Sequence, residues 1–244
     1  MGQQSMNKAL VSLTFDDGLR SQFDSGVPIL DGYGLPATFF LVANTDAIFT
    51  DGWAEFNGLE WHKIDWRTDD IRLLKKMIAR GHEIGAHTMT HKRDLIAANP
   101  VFEAKECKRL MEGWLGIEIP SFCYPFYDTI QVLKEPAIQA GYKQARAGKQ
   151  NSYYGVESSI DLLNVDCRQI APTGEEVDSW LRPGCWHVVT FHGIGGEQDG
   201  WVPVTEAEFD RQMSELARLR DAGQVEVVTF GDGAERFRGK DSQS

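Results

Sequence analysis

Hydrophobic and polar residues fall into short apolar blocks separated by longer stretches of helix-like spacing. The first block, Ala9-Leu10-Val11-Ser12-Leu13-Thr14-Phe15, stops at Asp16-Asp17-Gly18 and so predicts a strand that ends in a turn. Strand-like blocks recur at 37–43, 82–86, 120–125, 142–146, 162–167, 186–191 and 225–230. Residues 68–81 between them read as a helix, with Thr68 as cap, Asp69 and Asp70 in the first turn, Ile71, Leu74 and Ile78 as the apolar stripe and Gly81 as the stop. A second helix is predicted after Thr205-Glu206-Ala207-Glu208, which has capping-box spacing. Phe209, Met213, Leu216 and Leu219 follow at helical intervals until Gly223. Strands alternating with helices predict a parallel, barrel-like α/β domain. The one long irregular stretch, 44–67, holds Trp53, Trp61 and Trp66, which predicts a wall or lid near a site rather than a plain connector.

Composition narrows this picture. At 244 residues the expectation is one domain, spanning 8–238 between polar tails at 1–7 and 239–244. Lys plus Arg number 25 against 36 Asp plus Glu, a net charge of −11, so a surface that tracks nucleic-acid phosphates is excluded and the expected partner is neutral or cationic. No apolar run reaches the length of a membrane span. The start, Met1 to Asn7, lacks the charged, apolar and small-residue parts of a secretory signal, which predicts a cytoplasmic protein, or a secreted one from which a leader was removed. Cys107, Cys123, Cys167 and Cys185 form no C-x-x-C pair, and free thiols are expected.

Three places offer chemistry. Asp16 and Asp17 stand at a strand end, where parallel α/β proteins build their sites; both carboxylates reach one site only if the strand breaks there, as Gly18 permits. A solvated turn is the alternative. His87 and His91 follow Gly81-His82-Glu83-Ile84-Gly85-Ala86, which is not the H-E-x-x-H of zinc proteases. Four residues apart on a helical turn, they would lie on one face and share an ion, the alternative being ordinary core or surface histidines. His192 ends the apolar run Val188-Val189-Thr190-Phe191 before Gly193, and its place at the same barrel end makes it a candidate acid or base.

Together, Thr14-Phe15-Asp16-Asp17-Gly18, His87-Thr88-Met89-Thr90-His91, Phe122-Cys123-Tyr124-Pro125-Phe126 and Phe191-His192-Gly193 resemble the successive motifs of the NodB-homology polysaccharide deacetylases, carbohydrate esterase family four. The resemblance implies a distorted (β/α) barrel of seven or eight mostly parallel strands in a single domain. It also implies a metal-dependent hydrolase that removes acetyl groups from chitin-like or peptidoglycan polymers or from O-acetylated xylan. By motif position it implies Asp17, His87 and His91 as ligands of a divalent ion, zinc or in some members cobalt or nickel. Asp16 would be the general base, His192 the general acid and the Phe126 backbone N–H an oxyanion donor. Tyr124 and Phe126 belong to the implied substrate site, and Trp53, Trp61, Trp66 and Trp201 are candidate faces for sugar rings.

The chain departs from the family in three places. Cys123 stands where an arginine commonly orients the base, and Tyr127 where glycine is common. The fourth motif, Asp-x-x-Asp-Trp, is not visible, and Asp166 in Leu163-Asn164-Val165-Asp166-Cys167-Arg168 is the candidate catalytic residue in that interval. With Cys123 unable to orient Asp16, another cation should do so. Arg146, at the end of the next strand-like run, is predicted to lie within about 6 Å of the Asp16 carboxylate, against the alternative of a solvated arginine. Three rival readings remain: an amidohydrolase acting on a small non-sugar amide, a non-haem iron oxygenase with the same two histidines and one carboxylate, and a non-catalytic carbohydrate-binding protein.

Overall fold

A computed structural model of the protein describes residues 8–49, 57–148, 153–155, 158–169, 176–196 and 199–238. The polar tails and Trp53 lie outside the described residues. The first strand, β1 (Ala9–Phe15), is followed by a π-helical turn (Gln22–Gly26), α1 (Val27–Tyr33) and β2 (Ala37–Leu41). Among the described residues of the 44–67 stretch is a small antiparallel pair, β3 (Ile48–Phe49) and β4 (Trp61–His62). Then come α2 (Thr68–Ala79), β5 (Glu83–Ala86), α3 (Arg93–Ala98), α4 (Pro100–Leu115), β6 (Ser121–Cys123), α5 (Ile130–Gln139), β7 (Gln144–Arg146) and β8 (Tyr153–Gly155). The chain ends through β9 (Arg168–Gln169), α6 (Val177–Trp180), β10 (Cys185–Phe191), α7 (Glu206–Asp221), β11 (Val225–Val227) and α8 (Phe230–Glu235).

The other described strands form one sheet in the order β7-β6-β5-β2-β1-β10-β8, with β11 beside the first half of β1 and β9 beside β10. All of these pairings are parallel except β10 with β8. The sheet curls into the distorted barrel that the motifs imply. A bridge from Arg146 to Val165, followed by the β9–β10 pairing, carries the chain across the gap between β7 and β10. The expected strand at 162–167 is thus reduced to that bridge, with β9 just beyond it.

Period-two alternation decides what each strand residue faces. On β1, Val11, Leu13 and Phe15 pack outward against helices, Phe15 meeting Phe209 of α7 at 5.8 Å between ring centroids. Ser12 and Thr14 point into the barrel, where Thr14 meets Thr190 and Ser12 accepts from the Trp186 indole N–H at 3.0 Å. The interior is filled by Phe40, Trp186, Val188 and, from α8, Phe230 and Ala234. Gly85 on β5 is required here, because a Cβ would stand 2.5 Å from the Phe40 ring. Below this layer the half-buried Glu83 carboxylate accepts from Thr38 Oγ1 and from the Gly231 N–H, both at 2.8 Å, and also meets Ser121. That network closes the end of the barrel opposite the site.

One local expectation shifts. The helix at 68 begins on Thr68 with Arg67 in the cap position, so Thr68 is not the cap, while Asp70 is drawn inward by a bidentate pair with Arg20 at 2.7 and 2.8 Å. Thr205 does cap α7, accepting from the Glu208 N–H at 3.2 Å. The four cysteines are free, and among the described residues no helix is long and apolar enough to cross a membrane.

Candidate active site

The site lies at the carboxyl ends of β1, β5, β7 and β10. The β1 ladder continues one hydrogen bond past Phe15, from the Asp16 N–H to the Phe191 carbonyl at 3.1 Å, so Asp16 inherits the inward orientation of Ser12 and Thr14. Alternation would send Asp17 to the helix side. Instead Asp17 and Gly18 take left-handed φ values of 74° and 79°, and the strand breaks, bringing both carboxylates to one rim.

His87 follows β5 on the inward face of Gly85, with its N–H bonded to the Leu41 carbonyl at 2.9 Å. Its Nδ1 donates to the Cys123 carbonyl at 2.9 Å, which fixes the ring and turns Nε2 toward Asp17 Oδ1, 3.5 Å away. His91 reaches the same oxygen at 3.5 Å, but not from a helical turn. Residues 87–92 form a loop in which Thr88 (φ 68°) and His91 (φ 56°) are left-handed, and α3 starts only at Arg93. Backbone bonding explains the difference. Thr88 Oγ1 accepts the His91 N–H at 3.1 Å, and Glu103 takes the Thr90 N–H and hydroxyl at 2.9 and 2.7 Å, so side chains hold the loop that a helix was expected to supply. The His91 ring is walled by Phe126 at 4.4 Å and by the edge of Phe49 at 5.0 Å, which makes β3 part of the site wall.

Arg146 enters from β7, where it is the register partner of Cys123 on β6, and is 1% exposed. Its Nη2 pairs with Asp16 Oδ2, and Nη1 donates to Thr190 Oγ1 at 3.1 Å and to the Ala147 carbonyl at 3.2 Å. The thiols of Cys123 and Cys167 flank the same guanidinium. Burial alone would raise the Asp16 carboxyl; Arg146, with His87 and His192, outweighs it and holds the group below the ordinary carboxylate value. His192, one residue beyond β10, brings Nε2 to 3.8 Å from Asp16 Oδ2. Its Nδ1 has no hydrogen-bond partner among the described residues.

The other predicted residues divide. Asp166 is not brought to this cluster. It lies between the inward Val165 and Cys167, so strand alternation turns it to the other side, and its N–H donates to the Tyr154 hydroxyl at 2.7 Å. Tyr124 is buried with its hydroxyl on the Leu163 carbonyl at 3.0 Å, so it braces the barrel wall rather than facing a ligand. Trp61 and Trp66 are also buried, Trp66 donating to the Val42 carbonyl at 2.9 Å and packing on Trp114. Trp201, 38% exposed, stands beyond Gly200, whose Cβ position lies 3.6 Å from His192 Cβ. Phe126 (φ 57°) and Tyr127 (φ 58°) are both left-handed, which accounts physically for a preference for glycine at the second position. One contributor escaped sequence reasoning. Gln22 donates to the backbone carbonyls of Asp16 and His192, and the signal for it was a polar residue on the apolar stripe Leu19, Phe23, Gly26, Val27.

The donor set suits a divalent metal. Asp17, His87 and His91 each offer a ligand atom, all within 4.8 Å of one another and all buried. Burial pushes His91 down to about 3 and also lowers His87, so both imidazoles are neutral at pH 7 and present lone pairs. A second trio, Asp16, His87 and Cys123, is close enough to bind an ion, but the Arg146 cation already sits on its carboxylate and thiol.

With the geometry in place, comparison with known proteins is informative. A chitin deacetylase from Pestalotiopsis sp is 29% identical over 157 residues, 64% of this chain and 43% of that protein. The chain spans less than half the length of the curated relatives it matches. Among solved structures, the Xyl-CE4 domain of a multidomain xylanase from the hindgut metagenome of Trinervitermes trinervoides superposes with a TM-score of 0.57 at 16% identity, over 94% of this chain and 91% of that one. A family 4 acetyl xylan esterase from Clostridium thermocellum, in complex with a cobalt ion, gives a TM-score of 0.54 at 15% identity, over 91% and 89% of the two chains. The sequence profile of the polysaccharide deacetylases matches residues 3–145, more than half of the chain, and the protein belongs to that family.

Proposed function

We propose that this protein is a metal-dependent hydrolase that removes acetyl groups from an N- or O-acetylated saccharide. The observation that carries the reading is the meeting of two sets of residues at one barrel end: Asp17, His87 and His91 as neutral or anionic ligands, and Asp16 with its buried Arg146 beside His192. Asp17, His87 and His91 would hold the ion, zinc being the best match to two imidazoles and a carboxylate, with cobalt or nickel as alternatives. When bound, the ion supplies a Lewis acid that acidifies water and polarises the acetyl carbonyl.

The chain's own residues do the rest. Asp16, kept ionised by Arg146, takes a proton from the attacking water at Oδ1 or Oδ2. Arg146 does not touch substrate; it holds the carboxylate in one orientation through a guanidinium that Thr190 and the Ala147 carbonyl fix in turn. His192 Nε2 stands 3.8 Å from the same Asp16 oxygen that Arg146 holds, and donates a proton to the leaving nitrogen or oxygen. The Phe126 N–H would serve as the oxyanion donor, and the stack of the Arg93 guanidinium, the Phe126 ring and the His91 ring supports that loop. Trp201, partly exposed and next in the chain to Gly200 at His192, would offer a face to a sugar ring.

The test is acetate release from acetylated chitooligosaccharides, peptidoglycan fragments and acetylxylan, alongside ring opening of small cyclic amides, with zinc, cobalt, nickel or iron added. Release from a saccharide with a divalent metal is expected. Ring opening of the cyclic amides alone would move the substrate outside sugars, and dioxygen uptake with iron in place of hydrolysis would overturn the hydrolase reading.

A further inference from the structure

We propose that Gln22, supported by Ser21, is the positioning residue that sets the spacing between Asp16 and His192; this rests on the base and acid roles proposed above for that pair. Strands β1 and β10 run in parallel register as far as Phe15 opposite Phe191. One more ladder bond follows, from Asp16 N–H to the Phe191 carbonyl, and then the left-handed Asp17 and Gly18 take the chain away from its neighbour. The carbonyls of Asp16 and His192 are therefore the first facing pair beyond the ladder. The fully buried Gln22 side chain closes that gap, its Nε2 donating to the Asp16 carbonyl and, at 3.0 Å, to the His192 carbonyl.

Chemistry fixes the orientation of this amide. Both partners are acceptors, so only the nitrogen end can face them, and its two N–H groups are both used. Oε1 is left buried without a partner among the described residues, a cost that a hydrocarbon of the same shape would not carry. Ser21 holds the other side of the same turn, its Oγ accepting the Ile194 N–H at 3.0 Å. Both residues lie at the start of the π-helical turn, a geometry that often marks functional positions. The result is that Asp16 Oδ2 and His192 Nε2 stand 3.8 Å apart, side by side without a mutual hydrogen bond, so one can accept and the other give a proton at a shared reacting centre. Among the described residues the Gln22 amide hydrogen-bonds to backbone carbonyls alone, so Gln22 is a positioning residue.

The test compares Gln22→Met, which keeps length but loses both donors, with Gln22→Glu, which sets an acceptor against two acceptors, and with the milder Ser21→Ala. Zinc-loaded protein is assayed for acetate release from an acetylated chitooligosaccharide, alongside zinc content, thermal midpoint and a crystal structure of the Met variant. The expected result for Gln22→Met is a kcat about 10-fold or more lower with KM within about twofold, zinc content unchanged and a displaced kcat/KM pH profile. Ser21→Ala should show a smaller loss of the same pattern. A folded Gln22→Met with wild-type kcat would overturn the proposal, as would a kcat loss fully explained by lost zinc. If the wild type releases no acetate from any saccharide, the deacetylase reading fails, and the Met structure still decides this one: Asp16–His192 spacing widened by about 1 Å supports it and an unchanged spacing sinks it.

Discussion

Arg146 and Cys123 are neighbours in register on adjacent strands, and in the proposed mechanism the guanidinium that steadies Asp16 comes from the strand beside the one on which the family resemblance places it. Such a transfer is possible because both side chains point inward at the same height. Arg146→Ala should lower turnover by about 100-fold or more while metal content stays near wild type, since a misoriented base costs rate and not ligation. The Cys123→Arg/Arg146→Ala double variant should recover part of that loss, and Arg146→Lys should not, because an ammonium cannot reach Asp16 and Thr190 together. No recovery in a folded double variant would show that the origin of the cation matters as much as its charge. At the same scale, His87→Ala/His91→Ala should abolish stoichiometric binding of zinc measured by elemental analysis. Asp16→Asn and His192→Ala should each remove most turnover with zinc retained, and loss of zinc in either would make that residue a ligand.

Elements contribute by carrying residues to one end of the barrel and sealing the other. The seal is Glu83, whose carboxylate gathers donors from β2, β6 and the first turn of α8. Burial pushes its carboxyl upward, opposed by the hydrogen bonds from Ser121, Gly231 and Thr38. Glu83→Ala removes the shared acceptor of the buried Thr38 and Ser121 hydroxyls and should cost about 2 kcal/mol in urea unfolding, while Glu83→Gln, which keeps an acceptor in place, should cost clearly less. Neither should change the zinc content of the folded fraction, because Asp17, His87 and His91 all lie at the opposite end.

For the whole molecule, Lys63 ties the 44–67 excursion to the catalytic turn. Its ammonium donates to the carbonyls of Asn44 and Ile64 at 2.6 and 2.8 Å, and the Ile64 N–H bonds the Gly18 carbonyl at 3.0 Å. Burial lowers Lys63 from the ordinary 10.5 to about 8, with Asp46, Asp65 and Asp70 opposing only part of it. Below pH 8 the group is charged in both states; between 8 and 10.5 the unfolded chain holds more protons than the folded one, so this residue makes stability rise with pH. The gain should approach about 3 kcal/mol at the top of that window, read as the difference in pH slope between wild type and Lys63→Met. Parallel slopes would mean that the ammonium is not desolvated in the folded protein.

Much of this protein was legible in one dimension because two of its constraints are local. Strand blocks at 9–15, 37–43, 82–86 and 186–191 mark buried strands of a barrel by apolar content alone, and Thr205 with Gly223 brackets α7. Placing Asp16, Asp17, His87 and His192 at one rim follows from their position at strand ends, and Gly18 announced the break that brings two adjacent carboxylates together. What tertiary structure decided depends on which strand lies beside which. Sequence suggested Arg146 from its place at the end of the next strand-like run, but only the β6–β7 register puts its guanidinium on Asp16. Tyr124, Trp61 and Trp66 are buried because the chain around them finds packing partners distant in sequence, and Asp166 turns away because one bridge at Val165 sets the phase of its neighbours. Gln22 is the extreme case, since its role exists only where β1 and β10 part and two carbonyls 176 residues apart in the chain come to face one amide.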